Sequence, residues 1–364
     1  MPTRPLVIRY EDDLVLFPGV WHRIGLTLAL VLLFTIPFVA SPRWLTVSNL
    51  ALVSIVGAVG LMVLTGFAGQ ISLGHAAFLA VGAYTVAILG EQWHLPFWLA
   101  LPLGGLTAAL VGLAVGPFAL RLEGLYLAIV TLGLLYLVTH LLHSMPSITH
   151  GVSGIAVPMH GWFSDGGSLA PLGSFSKTLQ WGPLQLTFER KIYFLFLVLA
   201  ASSTWFARNL RRSATGRAMI AVRDHDLAAE VLGVSAARTK IIAFGLSSFL
   251  AGVAGGMFAF QQQYITIDPP FDLNMSVHYI AIIVLGGIGT VFGAVAGAIA
   301  FVALGPLADA VGHHVPLLAE LSSAQRSNLL FASVVIAFLV FEPLGLYGVW
   351  LRIQRYFVAW PFRH

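Results

Sequence analysis

The chain has 364 residues, of which 58% are hydrophobic and 9% charged, with a formal net charge of +4 and a mean hydropathy of +0.88. An ordinary soluble domain is excluded, because about a quarter of its residues would carry charge. Cysteine is absent, so disulfides and thiolate metal sites are excluded as well. At about 20 residues per crossing, the length accommodates eight to ten membrane helices.

Residues 1–23 read as a cytoplasmic N-terminal tail. Glu11, Asp12 and Asp13 precede the first apolar run and no small-residue cleavage site follows it, so no cleavable signal peptide is expected. The first span is Ile24–Ala40. The uncharged run from Thr46 to Gly90 is too long for one helix and breaks at Gly66–Gln70, giving spans at Ser48–Thr65 and Ile71–Leu89. Spans at Phe97–Leu120 and Gly124–His143 follow, then a Gly-, Pro- and Ser-rich segment, Ser144–Phe188, expected outside and partly ordered. Lys191–Ala207 leads into the charged stretch 208–240, and Ile241–Gln263 follows it. The run Ser276–Val311 splits at Gly286–Gly289, and Asn328–Leu346 is the tenth span. The expected fold class is therefore an all-α polytopic membrane protein of about ten helices. Its transmembrane domain is 24–347, and 348–364 is a cytoplasmic C-terminal tail. Ten spans put both termini and the 208–240 loop on one side. Fourteen of the nineteen Lys and Arg fall on that side, as a cytoplasmic face requires.

The 208–240 loop holds seven basic residues, Arg208, Arg211, Arg212, Arg217, Arg223, Arg238 and Lys240, together with Asp226 and Glu230. Asp226 is a good N-cap, Leu227, Val231 and Leu232 share a helical face, and Gly233 suits a helix end. A helix over Val222–Gly233 is predicted, lying along the membrane surface. The alternative is a solvated loop facing lipid headgroups.

The break Thr65–Phe78 concentrates polar and small residues in an apolar run. Backbone that leaves the helix at membrane depth must line a cavity or be buried in protein. Gln70, Ser72, His75 and Phe78 are therefore candidate translocation-path residues near mid-membrane, although tight interhelical packing fits the same pattern. Gly289, Gly293 and Gly297, and Gly252 with Gly256, read as packing ridges. His140, His143 and His150 have no carboxylate at ligand spacing, so no metal site is expected. Asp309 and Glu342 lie near span ends, where reaching the interface is cheap. No P-loop occurs, no basic stripe with interleaved aromatics points to nucleic acid, and no catalytic constellation suggests an enzyme.

Five segments occur in one order: GFAGQISLGHAAFLAVGAYT, RLEGLYLAIVTLG, ATGRAMIAVRDHDLAAEVLGVSAARTKIIAFGLSSFLAGVAGG, GGIGTVFGAVAGA and EPLGLYG. Over about Asn49–Gly348 the chain resembles the permease subunits of branched-chain amino acid ABC importers, the larger, LivM type. The resemblance implies a multi-pass bacterial inner-membrane subunit that pairs with a second, LivH-like permease. It implies two ATPase subunits carrying ATP and Mg, no cofactor in this chain, and a periplasmic binding protein. It also implies that Gly216, Arg217, Arg223, Asp226, Leu227, Ala228, Ala229, Glu230, Leu232 and Gly233 form the ATPase-coupling element. Ala228-Ala229 and Gly233 keep the Ala-Ala-x-x-x-Gly core of the family motif, with Leu227 replacing its leading Glu. Asp165, Asp268 and Asp272 are expected in the landing surface for the binding protein. Urea or short amides remain alternative substrates, and an ion-coupled secondary transporter a more distant one.

Overall fold

The computed structural model describes residues 20–118, 122, 124–159, 179–181, 184–312 and 322–359. Arg121, Glu123, Asp165, Lys177 and most of the N-terminal tail lie outside these residues. The first helices are α1 (Val20–Val39) and α2 (Pro42–Leu61), the latter continued by a π-helical turn, Met62–Phe67. Pro42 suits the first turn of α2, where a missing N–H breaks no helical bond. Next come α3 (His75–Glu91), α4 (Phe97–Val115), α5 (Leu125–Ser144) and a single turn, α6 (Pro146–Thr149). Strand β1 (Ile155–Ala156) and the hairpin β2 (Leu179–Trp181) and β3 (Leu184–Leu186) belong to the long polar segment, which is thus partly ordered as expected. The second half holds α7 (Phe188–Arg212), α8 (Ala214–Asp224), α9 (Asp226–Val231), α10 (Ala236–Gln262) and β4 (Tyr264–Ile265). It ends with α11 (Leu273–Gly286), α12 (Val291–Gly312), α13 (Ser323–Phe341) and α14 (Gly345–Ala359).

Helix α10 is the centre of the bundle and packs along α2, α3 and α4. Helices surrounded by lipid gain little from hydrophobic burial against each other, so close approach of small residues holds them. A Cβ on Gly82 of α3 would overlap the Gly252 carbonyl of α10, and one on Gly112 of α4 would overlap Ser248. Gly293 and Gly297 do pack α12 onto α11, but Gly289 does not join their ridge. Its φ of +78 puts it in the turn between the two helices.

Contacts fall at two ends of the bundle. At one end Arg43 pairs with Asp309 at 2.7 Å, Thr46 Oγ1 donates to Glu189 at 3.0 Å, and β1 pairs antiparallel with β4. The other end holds the last turn of α2, the charged stretch, and the α13–α14 corner, where Arg352 pairs with Glu342 at 2.6 Å.

Among the described residues five helices are long and apolar enough to cross a membrane, six if α13 and α14 count as one bent span. Helices α3 (17 residues) and α11 (14 residues) are apolar but shorter. Helix α3 is short because residues 68–74 are not helical, so the third span starts later than the expected Ile71. The last span also ends earlier than Leu346. Pro343 disfavours helical backbone at Glu342 (φ −141°), and the chain turns by 54° into α14, so residues 348–359 are helical.

Candidate functional site: a broken span and the charged corner beneath it

The π turn at the end of α2 closes on Ala68 and hands the chain to residues 69–74, which belong to no helix. Ala68 N donates to Val63 O at 3.3 Å, Gln70 N to Leu64 O at 3.1 Å, and Thr65 Oγ1 to Gln70 O at 3.0 Å. Other helices then satisfy the exposed backbone. Leu73 N donates to Thr131 Oγ1 of α5 at 3.0 Å, and Ala76 N to Ser276 Oγ of α11 at 3.0 Å. Irregular backbone in a membrane protein needs this protein-supplied pairing.

The four path candidates are all buried: Gln70 at 5%, Ser72 at 0%, His75 and Phe78 at 1% exposure. They have different surroundings. Ser72 Oγ accepts from Gly74 N at 3.3 Å, which makes it a turn former. His75 is held by a backbone hydrogen bond to Gly57 of α2 and by an edge contact with Tyr279 of α11, centroids 4.9 Å apart. Its Nε2 has no partner, and neither does either amide atom of Gln70. Phe78 belongs to the apolar core. Thr131, Ser276 and Tyr279, which complete the seam, were not singled out from sequence. Thr131 is an isolated polar residue in an apolar run, whereas Ser276 and Tyr279 follow Asp272 and Asn274 in a polar helix start, and only the neighbouring break makes either pattern meaningful.

The break rises from the charged corner. A Cβ on Gly66 would collide with Gly289, and Gly69 (φ +70°) lies against the Arg223 side chain. Arg223 Nη1 donates to Gly66 O at 2.7 Å, while its Nε and Nη2 hold Asp224 Oδ1 at 2.9 and 2.8 Å. Tyr279 packs on Gly57, nine positions before Gly66. At the helical rise that places His75 about 13 Å deeper in the bundle than Arg223.

The stretch Val222–Gly233 is two helices, correcting the expectation of one. His225 is extended (φ −162°, ψ 98°) and separates α8 from α9. Asp226 therefore sits inside α9, its Oδ1 accepting from Leu227 N at 2.8 Å, and His225 takes the cap position. Gly216 makes the α7–α8 corner, where a Cβ would overlap Leu210 O. Arg217 Nη1 donates to Arg212 O at 2.6 Å. Val222, Ala229 and Ala236 form a small separate core between α8, α9 and α10. Leu227, Val231 and Leu232 are 73%, 88% and 83% exposed. Ala228 and Glu230 are exposed too, and Gly233 ends the motif with φ +86°. Arg223, expected in the coupling element, reaches back to the end of α2, because a guanidinium can bridge a carboxylate and a backbone carbonyl at once.

Asp309 and Glu342 both have arginine partners. His143 Nδ1 lies 2.9 Å from Thr139 O, and His150 lies 3.7 Å from Glu91. No cluster of three His, Asp or Glu able to hold a metal occurs among the described residues. Asp272, expected on a docking surface, caps α11 by accepting from Met275 N at 3.0 Å, whereas Asp268 is exposed.

Residues 44–343 match the family described as branched-chain amino acid transport system, permease component. The high-affinity branched-chain amino acid transport system permease protein LivM of Escherichia coli K12 is 33% identical over 330 residues, 89% of this chain and 75% of the relative. LivM of Salmonella typhimurium LT2 is 32% identical over the same shares. The autoinducer 2 import system permease protein LsrC of Escherichia coli O9:H4 is 29% identical over 286 residues, 74% of this chain and 75% of the relative. No solved structure matches the chain. With its apolar helices and its broken span, the chain belongs to the branched-chain amino acid ABC transporter permease family, as a multi-pass membrane component of transport and not an enzyme.

Proposed function

We propose that this chain is one of two permease subunits of an ATP-driven importer in a bacterial inner membrane, carrying branched-chain amino acids. A second, LivH-like permease completes the pathway, two ATPase subunits bind ATP and Mg at the cytoplasmic face, and a periplasmic binding protein delivers the substrate. Exposed aliphatic faces on α4, α5 and α13 contact lipid.

One observation carries the mechanical part. Helix α9 exposes Leu227, Val231 and Leu232 while its base is tied through Arg223 to the foot of the broken span. An aliphatic patch held in water on a six-residue helix is stable only with a partner. An ATPase groove that seats it moves α8 and α9, and Arg223 passes that movement to Gly66 and the break. Gln70, Ser72, His75 and Phe78 are the proposed path residues along that break. Substrate choice rests mainly with the binding protein.

Reconstitution tests this directly. Proteoliposomes holding both permeases and the ATPases, supplied with the binding protein, should move leucine, isoleucine and valine only when ATP is hydrolysed. Leucine movement driven by an ion gradient without ATPases would reject the ABC mechanism. ATP-driven movement of urea without leucine would reject the substrate class.

A further inference from the structure

Helices α2, α4, α7 and α10 leave an open groove of about 560 Å³ between them. Val56 of α2 and Leu250 and Val253 of α10, all buried, form its floor, and Leu101 of α4 with Leu199 and Phe206 of α7 form its walls. Two hydroxyls line it, those of Ser202 and Ser203. Both donate to carbonyls of their own helix, Leu199 O and Ala200 O, each at 2.9 Å, so neither proton is offered to an occupant. What fits here is apolar. Another membrane helix would need small residues for its backbone to come close, but Trp205, Phe206 and Phe249 stand around the hollow. A thin, flexible hydrocarbon chain can thread between such side chains.

Charge at one end of the groove identifies the rest of the occupant. Toward the charged end of the bundle, α7 continues past Phe206 to Arg208, Arg211 and Arg212, and Arg238 lies in the first turn of α10. Arg212 is seven residues beyond Trp205, on the same stripe of α7, and Arg238 is eight residues from Leu246. At the helical rise these arginines stand about 10 and about 12 Å past the groove. Both are exposed, and no acidic residue occurs in 199–212 or 236–253 to neutralise them. Trp205 sits at the rim, 63% exposed, as aromatic rings do where hydrocarbon gives way to headgroups.

We infer that this groove binds one anionic phospholipid from the leaflet at the charged end of the permease. An acyl chain lies along Leu250 and Val253, and Arg212 and Arg238 hold the phosphate, which suits the paired donors of a guanidinium. A zwitterionic headgroup brings its own cation to the same phosphate and is disfavoured beside two arginines. The bound lipid joins the end of α7 to the start of α10, the two helices between which the chain runs through α8 and α9.

Photolabelling tests this in nanodiscs that hold the chain with its partner permease and ATPases. Phosphatidylglycerol with a diazirine on its acyl chain should label peptides covering 199–206 and 246–253. Phosphatidylcholine with the same chains should label them at least about fivefold less. Arg212→Gln with Arg238→Gln should bring phosphatidylglycerol labelling down to the phosphatidylcholine level, while Arg212→Lys with Arg238→Lys, which keeps the charge, should retain most of it. Labelling by phosphatidylcholine should be the same in all three proteins. Equal labelling by the two lipids overturns the inference, as does undiminished phosphatidylglycerol labelling in the glutamine variant. Loss of both labels in that variant overturns it as well, because the arginines would then shape the helices rather than hold a headgroup. Absence of label from these peptides also overturns it, and a benzophenone side chain at position 205 that crosslinks to the partner permease would identify the groove as a protein interface instead. Labelling requires no transport, so none of these outcomes bears on the proposed function.

Discussion

Arg223 shows why a residue's type does not reveal its direction. In sequence it is one of seven basic residues in a cytoplasmic-looking loop, and a solvated role is the natural expectation. In the fold it reaches Gly66 O at 2.7 Å, at a π turn that leaves that carbonyl available. A hydrogen bond to a charged donor contributes about 1.5–3 kcal/mol, and the partly exposed position of this side chain favours the lower figure. Arg223→Gln should therefore leave the permease inserted and its ATPases bound, while raising the ATP hydrolysed per leucine moved. Wild-type stoichiometry in the variant would remove Arg223 from the coupling route. Gly82 illustrates the same point in the bundle, because only the facing Gly252 carbonyl makes it special. Gly82→Val should separate α3 from α10 and lower the thermal midpoint by several degrees, read by fluorescence-detected size exclusion in detergent. An unchanged midpoint would show that the helices have slack.

At the scale of elements, α9 was legible from its apolar spacing, its small alanines and its terminal glycine. Its separation from α8 was not. His225 is not a helix breaker, and the extended backbone there follows from packing Ala229 onto Val222 and Ala236. Burying Leu227, Val231 and Leu232 in a groove contributes about 1.5–3 kcal/mol each. An ion pair at the rim contributes about 0–1 kcal/mol. Leu232→Asp should accordingly abolish ATPase pull-down, whereas Glu230→Ala should change it little. Equal retention in both variants would show that α9 is not the docking element. Gly233 has open space around its Cβ position, so a side chain there would clash with nothing. Its φ of +86° is what a β-branched residue resists. Gly233→Val should therefore reduce coupling without removing any contact, and normal coupling would show that the turn adapts.

For the whole molecule, the expected orientation rests on the sequence's charge bias and on the parity of ten spans. The contacts agree internally: Arg43, Asp309, Glu189, Glu91 and His150 meet at one end of the bundle, and Arg223, Glu342 and Arg352 lie at the other. The first end carries the long polar segment and is expected outside. Val152, 83% exposed in that segment, offers a site to check it. In this cysteine-free chain, Val152→Cys should react with a membrane-impermeant maleimide in intact spheroplasts. Reaction only after lysis would invert the topology.

Sequence alone determined the broad features: membrane class, the order and approximate positions of the long apolar helices, the break after α2, the charged corner and the glycine that ends it. These depend on composition and on local propensity, which each segment carries by itself. Only the tertiary structure decided which polar groups in the break are used and which are left over. Ser72 closes a turn, His75 is clamped between α2 and α11, and the Gln70 amide is buried with no hydrogen-bond partner among the described residues. The reason is physical. In an apolar bundle the environment of a polar group is set by the few donors and acceptors that other helices bring to the break, and those partners, Thr131, Arg223 and Ser276, lie 58, 157 and 200 positions away along the chain.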